Sequence, residues 1–226
     1  HLIEAPFSIL NLKYAKDVQC SVGSVYVDEF KRGYFPDSCP PSSHVTLTFP
    51  KTDKTKGDVK LHWMDGGIQP ERPEELQPNE IFGDGGNGTL FIGTKGKMMC
   101  DTYGLNPRLL PLNRNENIKV AQKYSRVKDG ADGHYGQWVE ASIAGYGKQE
   151  LSSPFEIAGP LTEALLMANL AIRGYDIQKE ILGEDVFPGR SAKLLWDNNN
   201  MKITNFDEVN QFVKRDYRAG WTNLTL

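Results

Sequence analysis

The sequence has 226 residues, is 39% hydrophobic and carries a formal net charge of −3. That length holds one sizeable core, or one core with a small appendage. Mild acidity leaves no basic footprint for phosphate contacts, so nucleic acid is not an expected partner. No transmembrane segment is expected either, because no apolar run approaches the roughly 20 residues that cross a bilayer.

Three cysteines, Cys20, Cys39 and Cys100, make an odd set without CxxC spacing. A disulfide framework or a structural zinc site is therefore not expected, and one disulfide stays open. Cys20 and Cys100 fall in strand candidates and read as small buried hydrophobes. Cys39, between Ser38 and two prolines, reads as exposed. The opening His1-Leu2-Ile3-Glu4 lacks a Met and reads as a cut or processed end, so the location, cytoplasmic or exported, stays open.

Glu4 to Leu12 is short and apolar, and Pro6 marks a helix start or kink. Val18 to Phe30 is a strand candidate, and Lys31 to Ser42, with three prolines, is a long loop. The stretch from Ser43 to Asp101 reads as an antiparallel sheet core. In it Val45, Leu47 and Phe49 alternate with Thr46 and Thr48, and Val59, Leu61 and Trp63 alternate with Lys60, His62 and Met64. Lys51 to Lys60 connects these two strands through solvent. Thr89 to Gly93 and Lys97 to Asp101 form a further pair joined at Thr94-Lys95-Gly96.

Phe82 to Gly88 contains four glycines, which suit either a purely conformational loop or one beside a ligand. It is neither a dinucleotide fingerprint nor a P-loop. Tyr103 to Arg114 reads as irregular. A helix is predicted to begin at Asp132-Gly133-His134, with Asp132 as its cap, Tyr135, Trp138, Val139 and Ile143 at helical spacing, and Gly145 as its stop. A second helix, largely buried, is predicted from Gly159-Pro160 to Gly174. Tyr175 to Arg190 reads as a short helix and a loop, Ser191 to Asp197 as a strand, and Asp207 to Arg218 as a final amphipathic helix, with Trp221 pinning the tail.

Three small groups carry possible chemistry: His1 with Glu4, His62 with Trp63 and Asp65, and His134 with Tyr135 and Trp138. Aromatic rings beside carboxylates and a histidine suit a carbohydrate, since rings cover C–H faces and polar groups grip hydroxyls. A histidine also titrates near neutrality and can move a hydroxyl proton. Each has a structural alternative: Trp63 as core, His62 as a sheet-face side chain, Tyr135 and Trp138 as the packing stripe of their helix. No metal motif and no GxSxG elbow is present. Glu4, Asp65, Glu156 and Glu163 offer carboxylates for glycoside hydrolysis, with unknown separations.

Several segments, in order, are similar to one family. They are His1 to Phe7, Ser43 to Leu47, Leu61 to Gly67, Gly93 to Lys97, Gly133 to Val139, Ala158 to Glu163, Trp196-Asp197, Met201 to Asn205 and Tyr217 to Trp221. The chain resembles the C-terminal part of the Gfo/Idh/MocA oxidoreductases, in particular a subgroup common in sugar-degrading bacteria. The resemblance implies an α+β fold: a large, mostly antiparallel sheet with helices packed on one face and a partner subunit on the other. It implies one substrate-binding and oligomerisation domain over residues 1–226, with 174–190 an insertion that shapes a pocket or a subunit contact.

It also implies NAD or NADP as cofactor, bound by an N-terminal Rossmann domain that this sequence does not contain, so the chain alone should be inactive. His1 matches the family's catalytic histidine, with Glu4 where relatives carry aspartate in a His-x-x-Asp setting. The family's Glu-Lys-Pro lysine has no counterpart; Thr94-Lys95-Gly96 is a different motif. Glu4, Trp63, Asp65, His134, Tyr135 and Trp138 are then the substrate-binding candidates, for a sugar or sugar derivative. Two alternatives remain: glycoside cleavage through transient oxidation, as in some relatives, and a non-catalytic carbohydrate-binding or structural domain.

Overall fold

The computed structural model describes residues 1–123 and 126–221. In chain order the elements are α1 (Glu4–Ile9), β1 (Asp17–Val22), β2 (Tyr26–Asp28), β3 (Lys31–Arg32), β4 (Ser43–Phe49), β5 (Val59–Met64), β6 (Thr89–Gly93), β7 (Gly96–Cys100) and β8 (Arg108–Leu110). Then follow α2 (Gly130–Ala144), α3 (Phe155–Tyr175), β9 (Lys179–Ile181), β10 (Glu184–Val186), β11 (Leu194–Asp197) and β12 (Lys202–Ile203). All strand pairs are antiparallel, so the class is α+β. The contacts divide the chain into two compact units: His1–Ser8 with Pro73–Leu161, and Ile9–Arg72 with the chain from Thr162 onward.

The second of these units is built on a five-stranded sheet in the order β12-β11-β1-β4-β5. Strand β4 lies inside it, paired along its length with β1 and β5, and from Val45 to Phe49 both of its faces are buried. The expected alternation of Val45, Leu47 and Phe49 with Thr46 and Thr48 holds, and the threonine face is also largely covered, at 9% and 7% exposure, because a central strand has no free edge. Val18, Val45, Leu47 and Phe49 are at most 1% exposed, and burial of such side chains contributes about 1.5–3 kcal/mol each.

Helix α3 covers the face that carries Leu194 and Trp196. The Trp196 indole N–H donates to Glu163 Oε1 at 2.7 Å. Gly174 brings the helix backbone against Val209 and Leu194, where an added Cβ would meet Val209 at 2.9 Å. Gln19, Ser21, Lys60 and His62 on the opposite face are exposed.

The register of β4 and β5 ends on one carboxylate. Asp65 Oδ1 accepts the Ser43 N–H at 2.5 Å, and Oδ2 accepts the Ser43 hydroxyl and the Trp63 indole N–H, each at 2.8 Å. Ser43 is 1% exposed, so no water replaces that carboxylate.

The other unit holds the hairpin β6–β7 in its own three-stranded sheet, with β8 added at the edge. The expectation of one sheet core running to Asp101 is corrected here, and so is the irregular reading of Tyr103 to Arg114, which contains β8. Met99 and Leu110 pack with Leu76 on one face of this sheet, flanked by Phe82, Leu90 and Leu112.

Other boundaries also move. The strand begun at Val18 ends at Val22, and Lys31–Arg32, placed in a loop, pairs with β2. Helix α2 starts at Gly130, so Asp132 lies in its first turn and is not its cap. Gly133 explains the shift: the Lys128 carbonyl oxygen sits 1.6 Å from where a Cβ would be, which lets the chain coil earlier.

Helix α3 starts at Phe155, where the Pro154 carbonyl accepts the N–H groups of Ile157 and Ala158, so Pro160 is interior and not in the first turn. Its Ala164, Met167, Leu170 and Ala171 are buried, while Leu165 and Leu166 are 42% and 55% exposed. By length and composition it is the one described helix able to cross a bilayer, where no such segment was expected; mostly buried core helices pass the same test, but only 28% of this one's apolar window is buried within the chain, so the expectation of a largely buried helix is corrected.

The segment expected as a helix and loop after Tyr175 forms the β9–β10 hairpin. Its two-residue turn, Leu182 and Gly183, has φ of 56° and 81°, the turn that matches strand twist. The final helix shrinks to a 3₁₀ turn over Asp207–Phe212, because the Asn210 side chain bonds both the N–H and the carbonyl of Ile203 and ties the turn to β12. Trp221 is half exposed, with the Arg218 guanidinium over its ring at 4.6 Å.

Two outcomes follow. Asp65→Ala leaves the Ser43 and Trp63 donors without a partner and should cost about 2–4 kcal/mol, read as a fall of about 5–15 °C in thermal midpoint. All three thiols are free, with Cys39 exposed and Cys100 buried. Burial, with the nearby Asp176 charge, pushes the Cys20 thiol up to about 12. A thiol reagent at neutral pH should therefore modify one equivalent, Cys39, quickly, and the other two only on unfolding.

Candidate functional site

The seven candidate residues fall into separate groups. His1, Glu4, His134, Tyr135 and Trp138 belong to the unit with the three-stranded sheet, and Trp63 and Asp65 to the unit with the five-stranded sheet.

Trp63 and Asp65 are joined to each other and to Ser43, and their side-chain bonds serve that strand junction. His62 does not join them. It lies on the opposite face of β5, with Nδ1 at 3.0 Å from His44 Nε2 and 3.1 Å from Thr46 Oγ1. Partial burial, then the charges of His44 and Lys60, hold its imidazole below the usual range.

On α2, His134 Nδ1 is 3.0 Å from the Ser152 hydroxyl, and the Gln137 side-chain carbonyl accepts the Ser152 N–H at 3.0 Å. These residues lie three apart and share one helix face, which holds the chain after the helix. The rings of Tyr135 and Trp138 are 71% and 67% exposed, and α2 has no buried residue, so the expected packing stripe is not in use within this chain. The His134 and Tyr135 rings lie 5.9 Å apart.

The most developed arrangement surrounds His1. Its ring lies 4.7 Å from that of Tyr103 at 53°, and its carbonyl accepts the Tyr103 N–H at 3.2 Å. Glu4 opens α1 and accepts the Ser8 hydroxyl at 2.6 Å. Tyr103 has φ 62° and ψ 17°, a left-handed conformation that costs a non-glycine residue about 1–2 kcal/mol. Such strain persists only where surrounding contacts over-determine it, and it gathers at functional sites.

Those contacts are present on both sides of Tyr103. Asp84 accepts the Thr102 hydroxyl at 2.6 Å and the N–H groups of Asn87 and Gly86 at 2.7 and 3.0 Å. Asp101 accepts the side chains of Asn106 and Arg108, and Arg108 in turn donates to the Gly83 carbonyl at 2.6 Å. The Thr102 hydroxyl, then the loop N–H groups, hold the Asp84 carboxyl well below its ordinary value. Asn106, then Arg108, lower that of Asp101. Tyr103 was absent from the sequence candidates. The signal available was an aromatic residue directly before Gly104; its backbone angle is not legible in the letters.

The glycine-rich loop at 82–88 bears directly on a dinucleotide. Its N–H groups at Gly86 and Asn87 point at the Asp84 carboxylate, so the position a phosphate would take already holds an anion. The loop does not fit a pyrophosphate. Among the described residues no group of three or more His, Cys, Asp or Glu side chains is placed to hold a metal ion. Comparison of the sequence with models of known protein families and with curated proteins finds no match.

The Asp84 network gives a pH signature. Its folded-state carboxyl lies below the unfolded value of about 4, so the stability it adds is complete above that pH and is lost as pH falls through it. Asp84→Asn should lower the thermal midpoint at pH 7, and the difference from the parent should shrink steadily below pH about 4. A constant difference across that range would leave Asp84 without this role.

Proposed function

We propose that this chain is the substrate-binding and oligomerisation part of an NAD(P)-dependent oxidoreductase acting on a sugar or sugar derivative. The ordered segments from His1 to Trp221 support the reading, and one observation carries it: His1 faces an aromatic ring held on a strained, doubly anchored backbone. In this reading the Tyr103 ring lies against the C–H face of the sugar, His1 takes or returns the hydroxyl proton, and Glu4 accepts a neighbouring hydroxyl. A bound nicotinamide supplies the hydride chemistry. In this reading its phosphates would be held by a nucleotide domain outside this chain.

The finer fold belongs to the same proposal. A five-stranded sheet with α3 on one face suits the C-terminal domain of the Gfo/Idh/MocA proteins. The opposite face is polar rather than apolar, with Gln19, Ser21, Lys60 and His62 exposed, and it is the face offered to a second copy.

The test is sugar-dependent reduction of NAD⁺ or NADP⁺ by the intact gene product, over a panel of aldoses, cyclitols and amino sugars. His1→Ala should lower kcat by about 10²–10⁴-fold with the thermal midpoint unchanged, and Tyr103→Leu should chiefly raise KM. Glycoside cleavage without net nicotinamide reduction would move the protein to the transient-oxidation chemistry. Failure of the intact product to bind either nucleotide would overturn the proposal.

A further inference from the structure

An open cavity of about 340 Å³ lies along the tip of the β6–β7 hairpin and is independent of the His1 arrangement. Phe91, Met98 and Leu109 line it. These three are cross-strand partners in one row, Phe91 opposite Met98 and Met98 opposite Leu109. Alternation puts the row on the sheet face opposite Met99 and Leu110, which belong to the core. The row is half-buried, apolar and open to the cavity.

The rim of this cavity is cationic. Lys95 and Arg114 line it, and among the described residues neither has a carboxylate partner. Lys97 also borders it but is bound to Glu75 at 2.8 Å, so its charge is locally balanced. The Arg114 guanidinium is held by one bond, Nη1 donating to the Leu110 carbonyl at 3.2 Å, and it lies 2.7 Å from where a Cβ on residue 96 would stand. Gly96 therefore meets two needs: its φ of 135° turns the hairpin, and its missing side chain leaves the guanidinium its place.

We propose that this cavity binds a small molecule carrying a phosphate or carboxylate on an apolar or ring-shaped body. The oxyanion would take the remaining guanidinium donors of Arg114 and the Lys95 ammonium, and the body would lie on the Phe91–Met98–Leu109 row. A planar guanidinium matches either oxyanion in a bidentate way, and the lysine adds a second, mobile positive charge. The volume falls at the lower end of ordinary small-ligand sites.

Titration calorimetry on the intact gene product at low ionic strength, where exposed charges are least screened, tests this with inorganic phosphate, phenyl phosphate and benzoate. Phenyl phosphate should bind more tightly than inorganic phosphate, and Arg114→Gln should weaken it about tenfold or more. Lys95→Ala, at an exposed turn position with no side-chain bond among the described residues, should weaken it in the same direction and guards against a folding defect in the Arg114 variant. Tighter binding of benzoate than of phenyl phosphate would assign the site to carboxylates within the same proposal. No heat with any of the three probes, or affinities unchanged in both variants, would overturn it.

Discussion

The carboxylate of Asp65 fixes the end of the strand pair on which the larger sheet depends. It accepts three donors, two from Ser43 at the start of β4 and one from Trp63 near the end of β5. A shift of one residue between these strands would turn Val45, Leu47 and Phe49 away from their present neighbours. With both faces of β4 buried, either slip direction would also put the threonine hydroxyls in new surroundings. A buried donor left unpaired costs more than an ordinary bond contributes, so this one side chain selects the register as much as it stabilises it. The same bonds account for Asp65 and Trp63 as structural groups.

The smaller sheet uses carboxylates differently. Asp84 and Asp101 close loops, and between them Tyr103 is held with a left-handed backbone. The energy that stabilises this strained residue comes from loop hydrogen bonds and one partly buried ion pair, Arg108 with Asp101 at 2.8 Å. The result is a ring presented beside His1 with little freedom to relax. In the proposed reading, rigid presentation of an aromatic ring next to the His1 imidazole is what oxidation of a sugar hydroxyl would need. The Asp84 carboxylate at the same time fills the loop that glycine content alone had left open to a ligand.

The two surfaces on which the proposals rest differ in character. The His1 and Tyr103 pair places two rings 4.7 Å apart. The hairpin tip offers an apolar row edged by Lys95 and Arg114. Each has a glycine at positive φ beside it, Gly104 with φ 68° and Gly96 with φ 135°.

Much of the strand pattern was legible in the letters. The alternation in Ser43 to Phe49 and Val59 to Met64, and the turn at Thr94-Lys95, report side-chain period directly, because a strand's two faces are written in alternate residues. The exposed Cys39 and buried Cys100 also followed from local context. Helix starts were less legible: Pro160 suggested a beginning, but the Pro154 carbonyl, five residues before Phe155's helix reaches Gly159, set it earlier. The hairpin after Tyr175, the short turn in place of a last helix, and the strained Tyr103 were not legible at all. The first rests on a backbone angle, Leu182 at positive φ, the second on a side chain, Asn210, closing back on Ile203, and the third on Thr102 meeting Asp84 from a separate segment. Sequence by itself determined the antiparallel strand patterns and the candidate histidine. Tertiary structure alone decided which aromatic ring stands beside it, because that choice rests on long-range hydrogen bonds that no local pattern encodes.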